Sequence, residues 1–160
     1  MIGLDAQIRP WEDLDRPRLE RMFTRLSRQT VIQRFFTLTP TPNEPLWRGL
    51  SDVDHDHHEA LVVPVGEEII ALASYHIDQI DAARADIAVL IEDAWQQRGL
   101  GRLLVRRLSR LAAQRGVVTF HADVLFQNTA ARGLIRHMDR QARATIDGVS
   151  LSYELPLRAA

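Results

Sequence analysis

The 160-residue sequence contains no cysteine and no lysine. Without cysteine the chain cannot form a disulfide, a thiolate metal site or a cysteine nucleophile. Its longest apolar runs are too short to cross a bilayer, and its N-terminus lacks the basic and then apolar pattern of a signal peptide. We therefore expect a cytoplasmic protein with no membrane partner.

The formal net charge is −1, and no run of like charge exceeds a few residues. A nucleic-acid partner is therefore not expected, because a phosphate backbone is bound by a concentrated positive surface. With 46% hydrophobic residues the chain has the size and composition of one ordinary domain. We expect residues 1–160 to form a single domain that is either a monomer or a homodimer.

Hydrophobic periodicity and turn residues predict the order β-α-α-β-β-β-α-β-α-β-β, a mixed α/β (α+β) fold. Two-residue turns are predicted at Gly66-Glu67 and at Asp147-Gly148, and a loop is predicted around the prolines Pro40, Pro42 and Pro45. Strands are predicted at 6–10, 59–65, 68–77, 85–91, 117–125, 141–146 and 150–155. Helices are predicted after Asp15, at 30–36, at 100–115 and after Asn128.

One segment with a chemical signature lies between the predicted strand at 85–91 and the helix at 100–115. It reads Gln96-Gln97-Arg98-Gly99-Leu100-Gly101-Arg102. Glycines let the backbone approach a phosphate closely, and the free amides and dipole of a helix N-terminus favour negative charge. The segment is suited to bind a pyrophosphate. The alternative is that the two glycines only form a tight turn between strand and helix.

The stretch from Ile91 to Gly101 resembles the acetyl-CoA motif of the GNAT N-acetyltransferases, Q/R-x-x-G-x-G/A. Its glycine spacing differs from the dinucleotide fingerprint, and a P-loop would require a lysine. The predicted element order, from Ile8 to Leu157, is also that of the GNAT acyl-CoA N-acyltransferase fold. The resemblance implies a mixed central sheet of six or seven strands, flanked by about four helices and splayed between its fourth and fifth strands.

The same resemblance implies which residues would bind acetyl-CoA as a co-substrate. Backbone groups of Val89, Leu90 and Ile91 would pair with the pantetheine arm, and an amide at Leu90 or Ile91 would stabilise the oxyanion. Asn128 would line the cleft, cap the following helix, or do both. The pyrophosphate would be held by Gln96, Gln97, Arg98, Gly99, Leu100, Gly101 and Arg102.

A finer resemblance is to the bacterial Pat-type protein-lysine acetyltransferases. It is carried by Arg34-Phe35-Phe36, Asp54, Glu59-Ala60-Leu61-Val62-Val63 and above all by Arg84-Ala85-Asp86-Ile87-Ala88-Val89. In that subfamily a glutamate on the central strand is the proposed general base, and Asp86 occupies its place. Because aspartate is one methylene shorter, a bridging water would be needed. Met138-Asp139-Arg140 also stands where the subfamily usually has Leu-Gly-Phe.

The resemblance implies transfer of an acetyl group to a primary amine, with a protein lysine as the preferred acceptor. We expect direct transfer in a ternary complex, because the chain offers no plausible acyl nucleophile such as cysteine. A small-molecule amine acetyltransferase and a non-catalytic acyl-CoA-binding regulatory module remain alternatives.

The tyrosine that often protonates the leaving thiolate in this family is missing from the helix after Asn128, so the acid is water or another group. His121 could relay a proton, although a packed strand residue is the simpler interpretation. We interpret Asp54-His55-Asp56-His57-His58 as a solvated loop and expect no metal.

Overall fold

The computed structural model describes residues 7–36 and 43–157, and within these ranges it contains seven strands and five α-helices. The predicted fold class is confirmed. The strands are β1 (Arg9–Pro10), β2 (His58–Val65), β3 (Glu68–Ile77), β4 (Arg84–Ile91), β5 (Thr119–Leu125), β6 (Ala144–Asp147) and β7 (Ser150–Pro156). The helices are α1 (Arg16–Phe23), α2 (Arg28–Phe35), α3 (Glu44–Ser51), α4 (Leu100–Gln114) and α5 (Thr129–Met138).

The strands form one sheet in the order β1-β2-β3-β4-β5-β7-β6. All neighbouring strands are antiparallel except β4 and β5, which are parallel. Side chains alternate between the two faces, so each face buries its own apolar cluster. One cluster joins Ile135 of α5 and Leu104 of α4 to the sheet, and the other joins Leu19 of α1 and Trp47 of α3 to the opposite face.

The predicted opening between β4 and β5 follows from their short pairing. The two strands pair only where Arg84, Ala85 and Asp86 meet residues 119–121. Beyond Asp86, β4 continues to Ile91 paired with β3 alone, while β5 continues to Leu125 paired with β7 alone. We call the point where the two strands stop pairing, at Asp86 and His121, the vertex. Beyond it, each of these two strands has one edge without a strand partner among the described residues.

The mostly apolar run at 85–91, which lacks a clean alternation of polar and apolar residues, predicts a central strand covered on both faces, and this prediction is wrong. Only Ala85 and Leu90 of β4 are buried, and Asp86 is exposed. A central strand is covered on both faces and hydrogen bonded on both edges. Here the residues beyond the vertex border the opening instead.

Two helices differ from the prediction, because the sequence predicts that Asp15 caps α1 and predicts no helix at Pro45. Asp15 does precede α1, but its carboxylate does not cap that helix. It accepts a hydrogen bond from the backbone amide of Glu12 and closes a single 3₁₀ turn. Helix α3 was not predicted, because Pro45 was assigned to a loop. Pro45 lies in the first turn of α3, where proline fits, and Pro40 and Pro42 lie outside the described residues.

One of the two predicted hairpin turns is confirmed and the other is displaced. Val65 pairs with Glu68, which leaves Gly66-Glu67 as the turn, as predicted. In the last hairpin Asp147 pairs with Ser150, so the turn is Gly148-Val149, one residue later than predicted. Gly148 has a φ of 60°, and a glycine at the first turn position adopts this left-handed conformation at no steric cost.

Candidate active site

The first side of the opening is the free edge of β4. Glu92 donates its amide to Ile70 and Asp78 donates to Arg84, at 2.9 and 2.8 Å, so the even-numbered residues of β4 bond to β3. In an antiparallel ladder the residues in between, here the odd-numbered residues of β4, point their N–H and C=O groups away from the partner strand β3. The amides of Val89 and Ile91 are therefore directed at the opening, whereas that of Leu90 is directed at β3.

The second side of the opening is the start of α4. Gln97 and Gly99 have φ values of 60° and 84°, which turn the chain sharply into the helix. No hydrogen bond from the amides of residues 97–102 is found to any part of the chain that the structure describes. These unpaired amides at a helix N-terminus form a concave donor surface suited to an anion. Six predicted pyrophosphate-binding residues contribute them: Gln97, Arg98, Gly99, Leu100, Gly101 and Arg102.

Gln96 occupies a different position from the six residues that follow it. Its amide donates to Asp93, and its side-chain nitrogen donates to the carbonyl of Ile91 at 2.9 Å and to the hydroxyl of Thr30 at 3.1 Å. Gln96 therefore fixes the end of β4 against α2. The structure gives its side chain a supporting contact, and the contact with the cofactor that the sequence motif predicts stays a prediction.

The two glycines of the motif have different surroundings. A Cβ at Gly99 would meet no atom of the protein within 4 Å, although the positive φ would strain it. A Cβ at Gly101 would lie 3.2 Å from Leu134, which belongs to α5. Gly99 thus permits the turn, and Gly101 permits α5 to pack closely against the first turn of α4.

Asn128 lies at the start of α5 and accepts a hydrogen bond from the amide of Ala131 at 3.1 Å. This is the predicted helix cap. Its contribution to the cofactor cleft stays a prediction.

Asp86 belongs to a row of polar side chains that crosses one face of the sheet. The register aligns His58, His76, Asp86, His121 and Glu154 on five adjacent strands. Asp86 is 60% exposed and lies 4.0 Å from the guanidinium of Arg84. It lines a cavity of about 830 Å³ together with His58, His76 and Asp78. A carboxylate therefore lies at the vertex and faces open space.

Two of the histidines that line this cavity are stacked. The ring centroids of His58 and His76 are 3.6 Å apart, and Nδ1 of His58 donates to the carbonyl of Asp52 at 2.8 Å. Burial lowers the pKa of His58. Burial and the adjacent His58 ring lower the pKa of His76. The pair is therefore neutral near pH 7 and adds no positive charge beside Asp86.

The loop that precedes β2 is ordered by Asp54. Its carboxylate accepts from the amides of His58, Asp56 and His57 at 2.8, 2.9 and 2.9 Å. These hydrogen bonds, the one from His58 foremost, lower the pKa of Asp54 to about 2.

In residues 7–36 and 43–157 no group of three or more histidines and carboxylates has the arrangement of a metal site. Among the same residues, no helix is long and apolar enough to span a membrane.

His121 lies at the vertex on β5 and contacts two carboxylates. Its Nδ1 lies 2.7 Å from Glu154, and its Nε2 lies 3.1 Å from Asp123. Burial alone would lower the pKa of His121, but the hydrogen bonds to Glu154 and Asp123 outweigh burial and raise it. The sequence indicated that this residue could relay a proton near the cleft, but it did not indicate the two carboxylates that contact it.

Sequence reasoning also missed the uneven distribution of charge. Residues 49–97 carry eleven carboxylates and one arginine, whereas residues 98–143 carry ten arginines and two carboxylates. The first range includes the loops around the Asp86 cavity, and the second includes α4 and α5. A count by segment would have found this signal, which the net charge of −1 conceals.

Comparisons with known proteins agree with this geometry. The model of the Acetyltransferase (GNAT) family matches residues 19–139. Acetyltransferase Pat of Mycolicibacterium smegmatis is 33% identical over 116 residues, which cover 71% of this chain and 34% of that protein. The chain thus spans about a third of the length of this curated relative.

Two solved structures share the fold. The GNAT domain of PAT from S. lividans superposes with a TM-score of 0.84 at 24% identity, covering 94% of this chain and 89% of that one. The structure of yncA from Salmonella typhimurium, solved with its cofactor acetyl-CoA, gives a TM-score of 0.73 at 17% identity, covering 96% and 94%. With the family match over most of its length and a curated relative above 30% identity, the chain belongs to the GNAT acetyltransferase family.

Proposed function

We propose that this chain transfers the acetyl group of acetyl-CoA to a primary amine, directly and within a ternary complex. The observation that carries the proposal is the pair of unpaired donor surfaces on either side of the opening. One is the run of free amides at residues 97–102, and the other is the free edge of β4 at Val89 and Ile91. The acetyl-CoA bound to yncA and the assignment of the curated relative as an acetyltransferase support the same activity.

The two surfaces fit two successive parts of the co-substrate, the pyrophosphate and the pantetheine arm. The pyrophosphate accepts hydrogen bonds from the amides at the start of α4, where the helix dipole also favours its charge. The amide-containing pantetheine arm extends along β4 as an added strand and bonds Val89 and Ile91. This path leads from α4 towards the vertex, so the thioester arrives beside Asp86. An amide of the same edge donates to the carbonyl oxygen as it becomes an oxyanion.

Asp86 removes a proton from the acceptor amine through a bridging water. A lysine amine with a pKa near 10.4 is protonated at neutral pH, and making it neutral costs about 4 kcal/mol. Asp86 is the only carboxylate of β4, and it lies at the vertex with most of its side chain exposed. A base in this position contributes roughly 10² to 10⁴ in rate.

The acceptor that best fits the cavity is a lysine side chain presented by a protein. The cavity is open and is lined by the carboxylates Asp78 and Asp86. It is also lined by His57, which contacts Asp54 and Asp56, and this group of carboxylates attracts a cation. Ile80 lines the same cavity and is 99% exposed, so it offers an apolar contact to a macromolecular surface. Both features, the acidic surroundings and the exposed apolar contact at Ile80, favour a protein acceptor over a small amine.

The decisive experiment combines acceptor screening with one variant. The protein is incubated with acetyl-CoA and with pools of lysine peptides and small amines, and the products are identified by mass spectrometry. Because the chain contains no lysine, every acetyl-lysine detected belongs to the acceptor. We expect acetylated peptides and intersecting initial-rate plots. Parallel plots with an isolable acetylated protein would contradict direct transfer, and acetylation of small amines alone would contradict the lysine acceptor.

The Asp86→Asn variant tests the base. We expect kcat/KM at neutral pH to fall by at least about tenfold and its acidic limb to flatten, with unchanged affinity for acetyl-CoA by calorimetry. Asp147→Asn is the matched control, because Asp147 is an exposed carboxylate on the distant β6. A wild-type pH profile in Asp86→Asn would remove Asp86 from the mechanism.

A further inference from the structure

We propose that His121 is the acid that protonates the sulfur of CoA as the thiolate leaves. This inference rests on the proposed function, since it assigns a role within the same transfer reaction. It concerns a residue outside the acetyl-CoA motif and outside β4, the strand whose resemblance to the Pat-type enzymes identified Asp86.

The position of His121 follows from the topology. It is the last residue of β5 that pairs with β4, and its partner in the register is Asp86. The pantetheine arm, laid along the free edge of β4 from the start of α4, ends where that edge ends. The thioester sulfur is the last atom of the arm, so it arrives at the vertex between Asp86 and His121.

Four charged neighbours surround His121 on this face. On β5 and β7, Asp123 and Glu154 contact its two ring nitrogens, and Ser152 donates to Asp123 at 2.5 Å. On β4, Arg84 binds Glu154 at 3.0 Å, and Asp86 lies opposite in the register. The two carboxylates in direct contact stabilise the imidazolium, while Arg84 opposes it. His121 therefore holds a proton at a pH where an isolated histidine would have lost much of its charge.

The proton transfers balance without any other reactant. The amine nitrogen attacks the carbonyl carbon, and the intermediate collapses with cleavage of the C–S bond, the sulfur keeping the electron pair. Nε2 of His121 gives its proton to this thiolate and becomes neutral. The ammonium group loses two protons in all. One leaves through Asp86 to solvent and the other restores the imidazolium through water, so each turnover releases one proton.

The competing interpretation is that His121 only ties β5 to β7 through its ion pair with Glu154. The two roles differ in their effect on the pH profile. An acid must be protonated to act, so kcat falls as the pH rises through its pKa. If His121 only held the strands together, replacing it would change the stability of the protein and leave the pH of the basic limb unchanged.

Three variants and one spectroscopic measurement separate these roles. In His121→Gln we expect kcat to fall by at least about tenfold and the basic limb to disappear, with unchanged acetyl-CoA affinity by calorimetry. In Glu154→Gln, which removes a carboxylate that raises the pKa of His121, we expect the basic limb to move to lower pH but persist. His137→Gln, on the exposed side of α5, is the control and should change neither. By NMR of the free protein, His121 should titrate at higher pH than histidine in an unstructured peptide.

Several results would overturn the inference. One such result is acetyl transfer by folded His121→Gln with a pH profile that keeps the wild-type basic limb. This result would leave the proposed function intact. A basic limb that does not move in Glu154→Gln, or an NMR titration of His121 at or below the pH of histidine in an unstructured peptide, would also overturn the inference. Absence of transfer to any acceptor by the wild-type protein would overturn the proposed function and this inference with it.

Discussion

Asp15 shows at the scale of one residue how a charge is kept inside this fold. Its side chain has no exposed surface, and it binds Arg9 through both oxygens, Arg18 and the amide of Glu12. We expect Asp15→Asn to lower the free energy of unfolding by about 2–4 kcal/mol, because it leaves partly buried guanidinium groups without their counter-charge. Asp13→Asn, two residues away and exposed, is the control in the same denaturant titration.

The pH dependence of the Asp15 contribution has a definite sign. Burial raises the pKa of Asp15, but the hydrogen bonds from Arg9, Glu12 and Arg18 outweigh burial and lower it below the ordinary value. A carboxylate with a lowered pKa stabilises the folded state above its unfolded pKa and loses that contribution as the pH falls. Between about pH 5 and pH 3, the wild type should therefore lose more stability than Asp15→Asn. Equal losses would contradict this assignment.

Arg102 offers a residue-scale test of the pyrophosphate site. It is exposed in the first turn of α4, and Arg106 and Arg110 continue the same face away from the site. In Arg102→Glu a carboxylate beside the free amides repels the phosphates, so we expect the Kd for acetyl-CoA to rise by at least about tenfold. Arg110→Glu makes the same charge change two turns away and should have a much smaller effect. Equal effects on calorimetric affinity would point to long-range charge alone.

The sequence predicts residue roles where the role depends on local backbone chemistry. Gly99 at a positive φ and Asn128 as a helix cap are both readable from short-range rules. Gln96 is not, because its contacts with Thr30 and Ile91 depend on how α2 docks against the end of β4. The motif could indicate that this residue matters. Only the packing indicates that its side chain supports the site.

At the scale of elements, the contact between α4 and α5 depends on Gly101. A Cβ there would lie 3.2 Å from Leu134 and 3.8 Å from Ile91. We expect Gly101→Val to destabilise the protein by about 1–3 kcal/mol, because branched methyl groups cannot fit without moving α5. Leu134→Ala should relieve part of this cost, so the double variant should be more stable than the sum of the single changes predicts.

A strictly additive result in the Gly101→Val and Leu134→Ala cycle would contradict the contact. The cycle also separates packing from ligand binding. Gly101→Val alone cannot show that a Cβ obstructs acetyl-CoA, since it disturbs the protein itself. Gly99 is the better position for that question, because a side chain there meets open space.

Register is the part of the fold that the sequence could not predict. The strands themselves follow from their composition, and the Gly66-Glu67 turn fixes where β2 and β3 begin to pair. The longer connection from β3 to β4 and the helical crossover to β5 set no register. The alignment of His76, Asp86 and His121 therefore emerges only from the structure. The α3 helix was missed for a local reason, because Asn43 caps it and Pro45 fits its first turn.

For the whole molecule, opposite charges are concentrated at the two proposed substrate sites. The arginine-rich range 98–143 includes the start of α4, where we propose that the anionic co-substrate binds, and the carboxylate-rich range 49–97 includes the loops around the Asp86 cavity. Opposite charges raise the local concentration of each substrate on its own side. Because exposed charges are screened by salt, both interactions should weaken as ionic strength rises.

The acceptor side gives the sharpest test of this division of charge. Asp56 is 74% exposed, close to the cavity, and outside the proposed chemistry. In Asp56→Asn we expect kcat/KM for a lysine peptide flanked by arginines to fall by about two- to fivefold at low salt, which is the size of a screened surface charge interaction. The same variant should leave a serine-flanked peptide unaffected, because that peptide presents no additional cation near Asp56. Added salt should erase the difference between the variant and the wild type, and Asp147→Asn, far from the cavity, should show no selective loss. Equal losses for both peptides would mean that Asp56 acts on the fold of the loop and not on the charge of the acceptor.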